Sequence, residues 1–261
     1  MGGNAFRGTQ PVTLEECTAL VPVLLLELRA LGAVRVTPVG STGKAPVSGD
    51  IDVAVEHPQG RDFLAAQFGR LYGREAVRRL GSRQLTVRYP SVDGSKDHQV
   101  DIIVGPPGST GWVQWSHLSP GEASPVKGVV RNLLLNAVAR DAWQADGGRR
   151  SKLTIDWDVG AYRIIQVETD DDPRRSWRTI AREFVTSDPD ALAGHLFGQG
   201  YDAASVSTFE GVVAALRATS PRFDGIMEAF ADEVRDLAAI RPGLFGDVQE
   251  TLAYIEKVRR G

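Results

Sequence analysis

Apolar and polar positions follow two rhythms in the N-terminal part of this chain. From Thr13 to about Leu31 the apolar residues recur at helical spacing, behind the start Thr13-Leu14-Glu15-Glu16. Thr13 reads as an N-cap and Glu16, three residues on, as its capping-box partner; Gly32 ends the helix and Pro22 interrupts it. Residues 34–39 then predict a strand that runs into Gly40-Ser41. A loop over 42–49 follows, and Asp50 to Glu56 predicts a second strand. Gly60 to Tyr72 returns to helical spacing, with Phe63, Leu64, Phe68 and Leu71 on one side and a continuation towards Leu80. Residues 84–89 and 99–104 read as strands on either side of a polar turn at 90–97.

Beyond this the pattern changes. Residues 105–124 form a long stretch rich in Gly, Pro and Ser that holds Trp112 and Trp115. Loops of that length are commonly functional or disordered, and the two Trp speak against disorder. A helix is predicted from Pro125 to about Ala145, with Ser124 as N-cap and Pro125 at its first position. A hairpin is predicted over 152–157 and 162–168, and helices over 190–197, 205–218, 223–240 and 248–258. The order predicts an α+β (α/β) chain. A small mixed sheet with helices occupies residues 1–105, and a mostly helical part occupies 106–261. The hairpin would extend the first sheet or cover a site on it.

Composition narrows the function classes. The chain has 261 residues, 42% of them apolar, which suffices for a proper core. A net charge of −3 argues against a general nucleic-acid coat, while leaving room for a local basic groove. Cys17 is the single cysteine, so no intramolecular disulfide forms; it sits in an amphipathic helical pattern as a buried filler. No apolar run reaches membrane-span length, and Met1 to Gly8 lacks a secretory core. A cytoplasmic enzyme without membrane attachment is expected.

The chemistry concentrates in Val39-Gly40-Ser41 and Ser48-Gly49-Asp50-Ile51-Asp52-Val53. Residues two apart on a strand share a face, so Asp50 and Asp52 project together while Ile51 and Val53 turn away. Paired carboxylates repel one another unless a cation lies between them, and Mg²⁺ suits one or two carboxylates plus substrate phosphates. Gly40 and Ser41 offer backbone N–H groups that a phosphate can approach closely.

Gly-Ser, a gap, and then Asp-hydrophobic-Asp-hydrophobic resembles the signature of the polymerase-β-like nucleotidyltransferase superfamily. The resemblance covers residues 13–105 closely. It implies that Gly40-Ser41 opens a short helix whose backbone binds nucleotide phosphates. It also implies a third aspartate on a neighbouring strand, which here is Asp101 in Gln99-Val100-Asp101-Ile102. Asp50 and Asp52 would bind two Mg²⁺ ions, with Mn²⁺ as a substitute. Asp101 would bind only the ion that activates the acceptor hydroxyl. The implied substrate is an NTP, and the acceptor is an RNA 3′ end, a nucleotide, a small molecule or a protein side chain. A terminal nucleotide-adding enzyme acting on tRNA or other RNA, gripped by the helical C-terminal part and an arginine ridge, is the alternative among enzymes, and a non-catalytic nucleotide sensor or interaction protein on the same fold is the alternative of another class.

Further groups complete the candidate nucleotide site. Lys44 is either a phosphate contact or a solvated loop lysine. Lys127 and Arg131, four apart, share a helix face near an N-terminus where basic residues oppose the macrodipole. They either clamp a triphosphate or are two exposed basic residues. Gly2-Gly3-Asn4-Ala5-Phe6, Ser119-Pro120-x-Glu122 and Lys127-Gly128-x-x-Arg131-Asn132 are similar to a group of nucleotidyltransferase-like proteins of phage genomes, which would place the enzyme in the host cytoplasm. Arg70, Arg74 and Arg78 at helical spacing form either a ridge that tracks a nucleic-acid backbone or a solvated face. Arg174, Arg175 and Arg178 near Trp177 form a second basic-aromatic cluster, a base-stacking site or a surface loop. The Asp156-x-Asp158 pair lacks a Gly-Ser partner and reads as a strand edge. The four histidines are scattered, without the spacing of a zinc site.

Overall fold

The computed structural model describes residues 5–43, 46–81, 83–105, 126, 128–141, 144–146 (backbone only), 149–157, 159–168, 177–241 and 243–261. The chain divides into two compact units, Met1–Ala123 and Ser124–Gly261. Among the described residues there are seven α-helices, and none is long and apolar enough to cross a membrane. The mixed α and β content agrees with the fold class read from the sequence.

In the first unit, β1 (Val12–Thr13) leads into α1 (Leu14–Ala30). The capping box forms: the Thr13 hydroxyl accepts the Glu16 N–H at 3.2 Å, and the Glu16 carboxylate accepts the Thr13 N–H at 2.9 Å. α1 runs unbroken across Pro22. Its buried stripe is Cys17, Leu20, Leu24 and Leu28. Next come β2 (Arg35–Val39), β3 (Val47–Ser48), β4 (Ile51–Glu56), α2 (Gly60–Leu71), β5 (Val77–Leu80), β6 (Gln84–Pro90) and β7 (Asp97–Gly105). Two-residue β3 pairs with β1, inside the stretch expected to be plain loop.

The sheet order is β2-β4-β7-β6-β5, with β4 and β7 parallel and the other neighbours antiparallel. One face carries Val36, Ile51, Val53, Val55, Leu85, Val87, Val100, Ile102 and Val104, packed in one core with the stripe of α1 and with Leu64, Ala65 and Phe68 of α2. Burying such side chains contributes ~1.5–3 kcal/mol each, and truncating fully buried Phe68 to Ala would cost about 3–5 kcal/mol. The opposite face has only a small apolar cluster, Val39, Ala54 and Ile103, and otherwise presents polar side chains. That polarity makes it the face available for chemistry.

Two expectations for this unit fail. α2 stops at Leu71 and does not run towards Leu80, because Gly73 takes φ +93° and turns the chain through a single 3₁₀ turn, Arg74–Ala76, into β5. β5 pairs with β6, so Arg70, Arg74 and Arg78 lie on three different elements and form no helical ridge.

The second unit holds α3 (Gly128–Asp141), β8 (Gln144–Asp146), β9 (Arg149–Asp156), β10 (Gly160–Glu168), β11 (Trp177–Thr186), α4 (Pro189–Phe197), α5 (Phe209–Thr219), α6 (Phe223–Ile240) and α7 (Val248–Arg260). α3 ends before β8 and so does not reach Ala145. α5 starts later than expected because Thr208 caps it, its hydroxyl accepting the Gly211 N–H at 2.9 Å. The expected hairpin is present as β9 and β10. It does not extend the first sheet: β11-β10-β9-β8 form an antiparallel sheet of their own. β11 was not anticipated. It is largely exposed, and its pairing with β10 shifts register twice, so no clean alternation survives in its sequence.

Candidate metal centre

The site is built where β2 gives way to the turn before β4. Val39 pairs with Asp52 across the two strands. Gly40 then adopts φ +63°, and a Cβ there would lie 2.5 Å from Asp52 Oδ2. Only glycine combines that left-handed backbone with so close an approach to the carboxylate. Thr42, 5% exposed, ties the turn to the strand: its hydroxyl accepts the Asp52 N–H at 2.7 Å and donates to the Asp52 carbonyl at 3.2 Å. Ser41 is exposed, and its hydroxyl accepts a hydrogen bond from Ser48 Oγ at 3.1 Å. Residues 41–43 form a turn where the family resemblance implied a short helix.

Parallel pairing sets the acidic cluster. Asp52 of β4 stands in register with Asp101 of β7, so both side chains leave the same face at neighbouring positions. Asp50 precedes β4, and one carboxylate oxygen from each of Asp50, Asp52 and Asp101 lies within 4.8 Å of the others. Asp50 and Asp101 are 8% and 9% exposed, and Asp52 is half-buried.

Burial and mutual repulsion govern their titration. Asp52 is pushed up to about 8 by burial, then by the charges of Asp50 and Asp101. Asp101 is also raised, by burial first and by Asp50, against hydrogen bonds that favour its charged form. One such bond comes from Gln99 Nε2, which donates to Asp101 Oδ1 at 3.1 Å. Three carboxylates held this close at neutral pH call for a proton or a cation. The donor set is all hard oxygen, which fits Mg²⁺ or Mn²⁺ and not a thiolate-seeking metal.

The remaining candidates are dispersed. Lys44 and Lys127 lie outside the described residues, as do Ser124, Pro125, Arg174, Arg175 and Asp158. Arg131 lies on α3 of the second unit. It is 3% exposed, and burial lowers its guanidinium to about 10, so it is not an exposed basic residue. Trp177 begins β11, and the Arg150 guanidinium sits 4.2 Å from its ring centroid. Asp156 ends β9 and pairs with Arg182 at 3.3 Å, a structural contact at a strand end. His57 has both ring nitrogens engaged, Nε2 with the Leu31 carbonyl at 3.0 Å and Nδ1 with the Gln59 N–H at 3.1 Å. Cys17 is buried, and burial pushes its thiol up, which suits a filler and not a nucleophile.

Thr42 and Gln99 are among the residues of the site that escaped the sequence reading, as is Thr86, which pairs with Asp101 across β6 and β7. Thr42 carries a weak signal, since it directly follows Gly40-Ser41. Gln99 carries a clearer one: it is a polar residue in an apolar run, two before Asp101 and therefore on the same face. No protein-family model matches the chain, and no curated protein matches it.

Proposed function

We propose that the chain is a nucleotidyltransferase that moves an NMP from an NTP to an acceptor hydroxyl and releases pyrophosphate, using Mg²⁺ or Mn²⁺. The observation that carries this reading is the in-register pair Asp52 and Asp101, joined by Asp50 within 4.8 Å and bordered by a Gly40 turn that only glycine can form. Phosphoryl-group transfer asks a protein mainly for charge neutralisation and positioning, and this cluster supplies both. Asp50, Asp52 and Asp101 would hold the ions. When bound, such ions neutralise phosphate charge and make an acceptor hydroxyl easier to deprotonate. Gly40 and Ser41 present backbone N–H groups and one hydroxyl to the phosphates. Thr42 holds the backbone of Asp52 so that its carboxylate keeps its place. Lys44 remains a candidate for triphosphate contact.

The acceptor is an RNA 3′ end, a nucleotide, a small molecule or a protein. The arginine ridge, one of the two expected RNA grips, does not form because these arginines lie on separate elements, so the general reading stands ahead of a terminal nucleotide-adding enzyme. A nucleotide sensor would have no need of three converging carboxylates. The expected location is the cytoplasm, that of the host if the chain is phage-encoded.

The test is thermal denaturation of the wild type and Asp52→Asn with each NTP, with and without Mg²⁺. Stabilisation that needs both Mg²⁺ and Asp52 is the expected result. An NTP shift that persists without Mg²⁺ or in Asp52→Asn would refute the metal assignment.

A further inference from the structure

Gln99 sits two residues before Asp101 on β7, on the same face of the sheet and 3% exposed. Its Nε2 donates to Asp101 Oδ1 at 3.1 Å, and its Oε1 accepts the backbone N–H of Ala5 at 2.7 Å. A side-chain amide has one donor end and one acceptor end. The Ala5 N–H can only donate, so it fixes which end faces it and leaves the donor end for Asp101. A flipped amide would set two donors together at Ala5 and an oxygen against a carboxylate at Asp101.

The segment that carries Ala5 is itself tied down. Phe6, 5% exposed, lies beneath the Arg78 and Arg88 guanidiniums, 4.9 and 5.5 Å from its ring centroid. Arg88 Nη2 donates to the Arg7 carbonyl at 2.9 Å. The Gln10 N–H donates to the Asp97 carbonyl at 2.8 Å. Residues 5–10 are therefore held against β5, β6 and β7, and Ala5 reaches the acidic cluster through Gln99.

We infer that Gln99 is a positioning residue for Asp101, and that the backbone of the N-terminal segment at Ala5 orients Gln99. The segment far from Asp101 in sequence thus belongs to the metal site. The inference rests on the proposal that the three aspartates hold a divalent ion. Partners that orient a metal's ligands typically govern affinity about 10–100-fold when removed.

The experiment is a calorimetric titration of the full-length protein with Mn²⁺ alone, well below its melting temperature. The variants are Gln99→Ala, Ala5→Pro, which deletes the N–H, and Ala5→Gly, which keeps it. Mn²⁺ affinity in folded protein is a readout that a merely structural role would leave in place. Gln99→Ala should weaken binding at least tenfold, Ala5→Pro should weaken it in the same direction, and Ala5→Gly should match the wild type. If Gln99→Ala does not fold, the contrast between the two Ala5 variants carries the test. Wild-type affinity in both Gln99→Ala and Ala5→Pro overturns the inference while leaving the metal site standing. A loss in Gln99→Ala alone overturns the part assigned to Ala5. A wild type that binds no Mn²⁺ overturns the metal reading itself, and this inference with it.

Discussion

Replacing Gly40 and Gly43 separately by alanine sets apart backbone strain from a collision with Asp52, the proposed metal ligand. Both glycines have positive φ, +63° and +71°. Alanine in that region costs about 1–2 kcal/mol at either position. Their surroundings differ. At Gly43 no heavy atom of the described residues lies within 4 Å of the added Cβ, whereas at Gly40 the Cβ would meet Asp52 Oδ2 at 2.5 Å and Cγ at 3.3 Å. Ordinary contact requires the carboxylate oxygen to retreat by about 1 Å, while metal–ligand distances tolerate only ~0.2 Å. Without metal, Gly43→Ala should therefore melt ~4–16 °C below the wild type, and Gly40→Ala at least as far below because of the added collision. Only Gly43→Ala should then recover the wild-type rise in Tm on adding Mn²⁺ or Mg²⁺. Denaturation followed by circular dichroism, with and without the ion, reads both effects. If Gly40→Ala kept the full metal response, the Gly40 turn would not be what holds Asp52 in place. Loss of the response in both variants would show that general strain, and not the Asp52 contact, controls the site.

Four further outcomes follow from the same geometry. Asp52 has a folded pKa of about 8 against an ordinary 3.8, so its contribution is full below pH ~4 and is lost as the pH rises through about 8. The metal-free protein should lose stability across that window, by at most ~6 kcal/mol and by less if the three carboxylates share the titration; urea denaturation flat from pH 5 to 9 would contradict this. For the same reason Mg²⁺ binding at pH 7 should release about one proton, read as a dependence of titration heat on buffer ionisation enthalpy. Thr42→Val strands the Asp52 N–H and carbonyl and should cost about 1–3 kcal/mol together with part of the Mn²⁺ affinity; an unchanged affinity would confine Thr42 to stability. Cys17→Ala should cost about 1 kcal/mol in stability and leave the proposed nucleotide transfer untouched, and a folded but inactive variant would reveal an unrecognised nucleophile.

What the sequence disclosed depended on the range over which each feature is encoded. α1 is encoded locally: Thr13, Glu16 and Gly32 mark its ends, and the structure reproduces the capping box. The alternation in Asp50-Ile51-Asp52-Val53 likewise places carboxylates and core residues on opposite faces without reference to the rest of the chain. The end of α2 is a local feature that was misread, because Gly73 acts through a positive φ that helical spacing alone does not reveal. β11 was lost for a different reason. Its exposure and its two register shifts erase the alternation that marks a strand, so only its pairing with β10 defines it.

The acidic cluster itself divides along the same line. That three aspartates share a face follows from period two and from the apolar runs around them. That they stand within 4.8 Å depends on β4 and β7 being parallel with Asp52 and Asp101 in register, which is a property of the whole sheet. Of the groups that hydrogen-bond around them, Thr42 lies only ten residues from Asp52, across the turn, whereas Ala5 lies 94 residues from Gln99, through which alone it reaches Asp101. A short motif can therefore declare which side chains do chemistry while staying silent on what fixes their geometry. Hydrogen bonds from remote backbone leave no periodic trace, because an N–H carries no residue identity. This is why Ala5→Pro and Ala5→Gly, two substitutions at a position with no chemistry of its own, separate a backbone donor from a side chain more cleanly than any change at Asp101 would.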